Sequence, residues 1–346
     1  MEMKGKTLFA NYYLGDRSVS YDVDYQWARR YLGEAIVKID EGIMLWLLDG
    51  DPAVRWQVER DLLDKPPEKF EATRYLVSTQ GWGAMLLALQ DDTGMWGGGL
   101  YSPKWISTHY TLFALRFLGL PQGNPQALKA ADLLLSKGYF ADGGINFSRS
   151  IGHSETCITG MVLSMLAYFD YPDERIHNIA DHLVGQQMPD GGWNCQSYRG
   201  ATHSSFHTTI SVLEGLHYYV ERFPDQLAGL HSVRQKAHEF LLVHQLCCSH
   251  RTGELVHQAM TRFPYPPRWQ YDVLRALDYF QMASAERDER FGYAIVLVEA
   301  KRRANGRWQQ YRGPSGRIYF DLEKAGAPGR WNTLRALRVL RWWGSA

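Results

Sequence analysis

Between residues 191 and 216 the chain reads GGWNCQSYRGATHSSFHTTISVLEGL, and three of its side chains can do chemistry. Cys195 offers a thiol, and His203 and His207, four residues apart, share a face if the segment is helical. Upstream, His153 and Cys157 have the same four-residue spacing. Thiolate, imidazole and carboxylate are the donors that zinc prefers. The same residue types have a plainer use: a buried cysteine packs as a small hydrophobe, and a histidine at a helix mouth caps or hydrogen-bonds. Residue type alone leaves both uses open.

A second group is basic. In PAVRWQ, SPKWIS, PPRWQY and PGRWNT, the cations Arg55, Lys104, Arg268 and Arg330 each stand beside a tryptophan, at or just before an apolar helical segment. Helix N-termini present unpaired N–H groups and the positive end of the dipole, so cations gathered there would attract a diphosphate, phosphate or carboxylate. Stacking on the tryptophans, or pairing with nearby carboxylates, is the alternative use. A third group faces inward if the helices form a ring: Tyr110, Met161, Ser211, Asp272 and Asn332 occupy one aligned position. A carboxyl such as Asp272 in an aromatic, poorly solvated cavity would have a raised pKa and act as a general acid, with Tyr110 beside it. Pairing of Asp272 with Arg268, four residues earlier, is the competing expectation. The stretch HQLCCSHRTGELVH is dense in His and Cys, but it lacks the spacing of a zinc ribbon or finger and reads as an inter-repeat loop.

The elements that must position these groups repeat. Gly-rich turns (DDTGMWGGG, ADGGINF, PDGGWNC, RTGELVH, ANGRWQQ) are each followed by a loop and an amphipathic helix. Aligning the helices places Asp61, Ala114, Met165, Gly215, Ala276 and Ala336 in register, at steps of 53, 51, 50, 61 and 60 residues. A near-constant period of this size signals stacked supersecondary units. Between them lie second helical patterns, such as NPQALKAADLLLSKG and RIHNIADHLVGQQ, with apolar residues three and four apart. Period-two alternation is scarce, so no strands are expected. The last helix, RWNTLRALRVLRWWG, ends in aromatics as though it met a neighbour, which favours a closed ring over an open solenoid capped by polar faces. The expected architecture is all-α: an (α/α)6 toroid of six helix pairs over residues 41–346, preceded by an arm of residues 1–40.

Bulk composition narrows the function. With 38 basic and 37 acidic residues among 346, the chain has no basic field for nucleic acid. It is 45% hydrophobic and 13% aromatic, enough to bury a large core and line an apolar pocket. Four cysteines, two of them adjacent, give no disulfide framework and point to a reducing, cytoplasmic setting. The N-terminus lacks an apolar signal segment and no apolar run is long enough to span a membrane.

The turns QDDTGMW and QQMPDGGW resemble the Gln–Trp motifs of squalene–hopene cyclases, and the repeat region from about residue 40 onward resembles the terpenoid cyclase and protein prenyltransferase toroids. Within SETCITG, Glu155 and Cys157 match the acidic-x-Cys zinc ligands of prenyltransferase β-subunits, although Glu stands where Asp is usual. Phe206-His207-Thr208 matches the aromatic-His-Thr ligand one repeat later. The resemblance implies zinc on Glu155, Cys157 and His207, with His153, Cys195 and His203 as alternates, and Mg2+ if the substrate is a diphosphate. It implies a small apolar or isoprenoid substrate with an anionic head, and it leaves open whether a partner subunit completes the site. Metal-free, acid-initiated cyclisation and a non-catalytic ligand-binding ring are the alternatives; the Asp-x-Asp-Asp acid motif of class II cyclases is missing from the sequence.

Overall fold

The computed structural model describes residues 9–14, 17–22, 39–148 and 150–344. From residue 39 onward the architecture is the expected helical ring. Six inner helices follow in order: α2 (Pro52–Asp61), α5 (Thr108–Leu118), α7 (Thr156–Tyr168), α9 (Phe206–Arg222), α11 (Val273–Met282) and α13 (Arg330–Gly344). Alternating with them are α1 (Glu41–Leu48), α3 (Pro67–Tyr75), α4 (Gly81–Leu87), α6 (Pro125–Gly138), α8 (Arg175–Gly185), α10 (Leu227–Val243) and α12 (Gly292–Glu299). Local sequence sets several starts: Asp51 caps α2 by accepting from Ala53 N at 2.9 Å, ahead of Pro52. Asn124 likewise caps α6 ahead of Pro125. No helix among the described residues is long and apolar enough to cross a membrane.

The arm departs from the all-helical expectation. Phe9–Leu14 (β1) and Arg17–Asp22 (β2) form an antiparallel hairpin, with Leu14 opposite Arg17. The segments FANYYL and RSVSYD are rich in aromatic and β-branched residues, and Gly15-Asp16 lies between them, which is a hairpin signal.

The repeated tryptophan acts through hydrogen bonds. Trp96, Trp193 and Trp308 are each wholly buried, and their indole N–H groups donate at 2.7 Å to Leu86, Leu183 and Val298 O, ten residues back at the end of the preceding outer helix. Their backbone N–H groups donate to the hydroxyls of Thr108, Thr209 and Thr333 on the next inner helix. One residue thus ties an outer helix to its inner partner, the indole giving each carbonyl a second hydrogen bond beside the backbone N–H it already accepts at the helix end. The glutamines act sideways. Gln90 donates to Gly94 O and to Gln126 O of α6, and Gln187 to Gly191 O and to Val233 O of α10.

Buried ion pairs link the inner helices, and half-buried ones close the ring. Glu214 on α9 accepts from Arg116 of α5 at 2.9 Å and from Arg275 of α11 at 2.7 Å. Burial pushes the Glu214 carboxyl up, but the two guanidinium groups outweigh it and hold its pKa below the usual value. Asp278 on α11 binds Arg335 and Arg338 of α13. Arg338 also reaches Asp61 and Gln57 of α2 at 2.9 Å, joining the last inner helix to the first. Between α7 and α9 the contact is backbone on backbone: a Cβ on Gly215 would lie 2.5 Å from Gly160 O, and one on Gly160 would lie 2.7 Å from Ser211 O.

Candidate active site

Inside the ring, at the N-terminal ends of α5, α11 and α13, lies a cavity of about 740 Å³. Three stretches and Leu86 of α4 line it: Trp105, Tyr110, Thr111 and Ala114 around the start of α5; Tyr265, Pro266 and Arg268 ahead of α11; and residues 310–316 and 318–325 ahead of α13. The last stretch is a long loop laid across the mouth. Trp105 Nε1 donates to Pro314 O (3.1 Å) and Ser315 O (2.9 Å), and the backbones of Trp105 and Lys104 exchange hydrogen bonds with Arg317. Tyr319 OH bonds Ile106 O at 3.1 Å. The sixth unit thereby roofs a space whose opposite wall belongs to the second.

The wall is aromatic. Trp105 meets Tyr110 edge to face at 4.7 Å, and Tyr265 stacks on Trp331 at 4.1 Å. Tyr110 OH donates to Tyr101 OH at 3.0 Å, and burial pushes both phenols well up, so they stay neutral donors. Tyr110 thus lies on the lining, whereas Met161, Ser211, Asp272 and Asn332, at the same aligned position, do not.

Of the four cations expected at an anion-attracting mouth, Arg268 is the one on the lining. Its guanidinium lies 5.5 Å from the Trp105 ring centroid, and no carboxylate pairs with it among the described residues. Burial lowers its pKa to about 10, which still leaves it charged near neutrality. The other three are placed differently. Arg330 donates to Trp46 O at 2.9 Å and lies over the Trp46 ring, fastening α13 to α1. Lys104 sits over Tyr101 and Trp105. Arg55 is half-buried on α2, with its Nε unbonded. Repeat alignment put these cations at equivalent helix starts, but the loops before those helices differ, and of the four only Arg268 is delivered inward. The roof loop adds Arg312, Asp321 and Lys324 to the lining, all three exposed.

Asp272 is buried, off the cavity lining, and caps α11 by accepting from Arg275 N at 2.8 Å. Burial raises its pKa to about 6, against the pull of Arg335 and Arg275. Neither its hydrogen bond nor an ion pair joins it to Arg268; the cap takes the carboxyl instead. The half-buried carboxyl on the cavity is Glu323, which composition and spacing did not single out. It lies in the roof loop and accepts from Arg330 N at 2.5 Å and Trp331 N at 3.3 Å, capping α13. Desolvation raises its pKa to about 7, against the two backbone donors and Arg330. No local motif marks it: a glutamate seven residues before a helix becomes its cap only through the fold of the loop.

The expected zinc donors do not come together. Cys157 and Cys195 face each other, with Cys157 N donating to Cys195 Sγ at 3.0 Å and Glu155 close by. His207 points elsewhere: its Nδ1 accepts from Tyr271 N at 2.7 Å and its ring meets Trp269 edge to face. Burial first, then Arg275 and His257, lower its pKa to about 4, so the ring is neutral, with its proton on Nε2 and no free lone pair for a metal. His153 bonds Ser154 O and packs on Tyr198, and His203 is exposed beside Asp190. Among the described residues no three His, Cys, Asp or Glu side chains are grouped to hold an ion. As placed, these residues do not fit zinc.

Fold and cavity together define a closed α/α ring around an aromatic chamber, with an unpaired guanidinium and a carboxyl poised near neutrality on its lining. Among solved structures, the chain is similar to the type II terpene cyclase MstE from Scytonema, at 16% identity over 84% of this chain and 88% of that one, with a TM-score of 0.44. It is also similar to a protein from Actinoplanes, at 16% identity over 92% and 99% of the two chains, with a TM-score of 0.45. An arginine-to-alanine variant of MstE in complex with its substrate geranylgeranyl dihydroxybenzoate matches at 17% identity over 86% and 88%, with a TM-score of 0.42. No protein-family model and no curated protein matches the chain.

Proposed function

We propose that this protein is a cyclase-type enzyme that binds an apolar, isoprenoid-like substrate by an anionic head and initiates its reaction by proton transfer. One observation carries the reading: the unpaired Arg268 and the Glu323 carboxyl open on the same aromatic-walled cavity. Its volume of about 740 Å³ lies within the roughly 300–1,000 Å³ typical of small-molecule sites. An anionic head would pair with Arg268, which has no internal carboxylate to lose. Glu323, protonated for about half the molecules near pH 7, would donate to an epoxide or a polarised double bond. The faces of Trp105, Tyr110 and Tyr265 would then stabilise the positive charge that develops on carbon.

The test is turnover of prenylated aromatic carboxylates and their epoxides, followed by mass spectrometry, with binding measured separately. Glu323→Gln should abolish product while retaining affinity. Arg268→Gln should weaken a carboxylate ligand by about tenfold or more and leave its methyl ester unaffected. Unchanged turnover in Glu323→Gln would refute the proton-transfer role. Tight binding with no product from the wild-type protein would make the ring a binding protein instead.

A further inference from the structure

Cys157 and Cys195 lie 38 residues apart in sequence, yet the third and fourth units bring them together, with the backbone N–H of Cys157 against the sulfur of Cys195. Cys195 Sγ accepts from Cys157 N at 3.0 Å, in the first turn of α7, and from Thr208 Oγ1 at 3.4 Å. Two donors and a helix N-terminus directed at one sulfur favour its thiolate. Glu155 opposes ionisation of both and is itself offset by Lys104 and His153. Neither cysteine is sealed away, since both are only half-buried. The other two cysteines differ. Cys247 and Cys248 are buried, adjacent in sequence, and 3.9 Å apart at sulfur, a placement unsuited to an unstrained bridge.

We propose that Cys195 and Cys157 form a peroxide-reactive dithiol, with Cys195 as the attacking thiolate and Cys157 as the resolving thiol. The Cys195 sulfur attacks one oxygen of a hydroperoxide; an S–O bond forms, the O–O bond breaks, and the leaving oxygen departs as water or an alcohol after taking a proton. Cys157 then attacks the Cys195 sulfur; an S–S bond forms, the S–O bond breaks, and hydroxide leaves with the Cys157 proton as water. Two thiols lose two electrons and the hydroperoxide gains them. The link fastens the start of α7 to the turn before α9. It also lies behind the cavity wall, because Tyr101, which feels both sulfurs, is the partner of the lining residue Tyr110.

The experiment uses the full chain with stoichiometric hydrogen peroxide, followed by alkylation and peptide mass spectrometry. The expected product is an intramolecular cross-link between the peptides carrying Cys157 and Cys195, with Cys247 and Cys248 still reduced. Before oxidation, iodoacetamide should label Cys195 about tenfold or more faster than Cys157. In Cys157→Ser, Cys195 should stop at a sulfenic acid trapped by a cyclic 1,3-dione; in Cys195→Ser, Cys157 should stay reduced. Wild-type protein in which Cys195 stays alkylatable after peroxide, or in which Cys157 reacts first, would overturn the proposal without requiring any variant to fold.

Discussion

Glu323→Gln tests the chamber through stability as well as turnover. The carboxyl is held by two backbone donors, Arg330 N and Trp331 N, and the amide oxygen of Gln can keep the first. What Gln removes is the titration. In the native protein the group ionises at about 7 rather than 4.5, because the fold of the roof loop desolvates it. Below pH 4.5 both folded and unfolded chains carry the proton, so no penalty exists. Between 4.5 and about 7 the unfolded chain releases its proton while the folded one keeps it, and stability falls as pH rises. Above 7 the loss is complete and constant. At about 1.36 kcal/mol per pKa unit, the gap from 4.5 to about 7 corresponds to roughly 3 kcal/mol. That figure is a ceiling, since the group borders the cavity and its water. Urea unfolding of both proteins from pH 4 to 8.5 checks it: the stability of Glu323→Gln relative to wild type should climb by up to roughly 3 kcal/mol across that range. A difference that stays flat would refute the desolvated carboxyl with its raised pKa. It would also remove the basis for turnover that declines on the alkaline side of about pH 7.

Further expectations concern the ring itself. Glu214→Gln leaves Arg116 and Arg275 buried with reduced compensation, and thermal or chemical unfolding should show a loss on the order of 3–5 kcal/mol. Because Arg275 and Arg116 outweigh burial and hold the Glu214 pKa down, its contribution is present above the ordinary 4.5 and lost as pH falls through the lowered value; Glu214→Gln should therefore flatten the acid limb of the stability curve. Gly215→Val places side-chain atoms where Gly160 O sits 2.5 Å from the Cβ position, so α7 and α9 must part; soluble yield and melting temperature should both drop. Trp193→Phe keeps most of the buried ring but removes the indole donor to Leu183 O, which retains its bond from Gln186 N at 3.2 Å, so denaturant titration should show a cost of about 0.5–1.5 kcal/mol.

Most of the scaffold was legible because a repeat writes its physics several times. The Gly-rich turn, the tryptophan and the helix spacing recur, and in the structure they serve the same end: Trp96, Trp193 and Trp308 each seal an outer helix to an inner one. The arm hairpin escapes a reading by period because its β-prone segments are short and occur once. The candidate site was far less legible. Equivalent positions in a repeat promise equivalent surroundings, and Arg55, Lys104, Arg268 and Arg330 do not have them. The loops ahead of the inner helices differ in length and course, and those loops decide which charge reaches the cavity.

Sequence alone determined the helical ring and its period, because each depends on local pattern and on the need to bury one face of every helix. Tertiary structure decided the chemistry. It turned His207 toward Tyr271, set Cys157 against Cys195, used Asp272 as a cap, and brought Glu323 from a loop onto the cavity that Arg268 also lines. The physical reason is that proton affinity, ion pairing and ligand reach depend on burial and on distances of a few ångströms between units far apart in the chain. Spacing along the chain does not encode them.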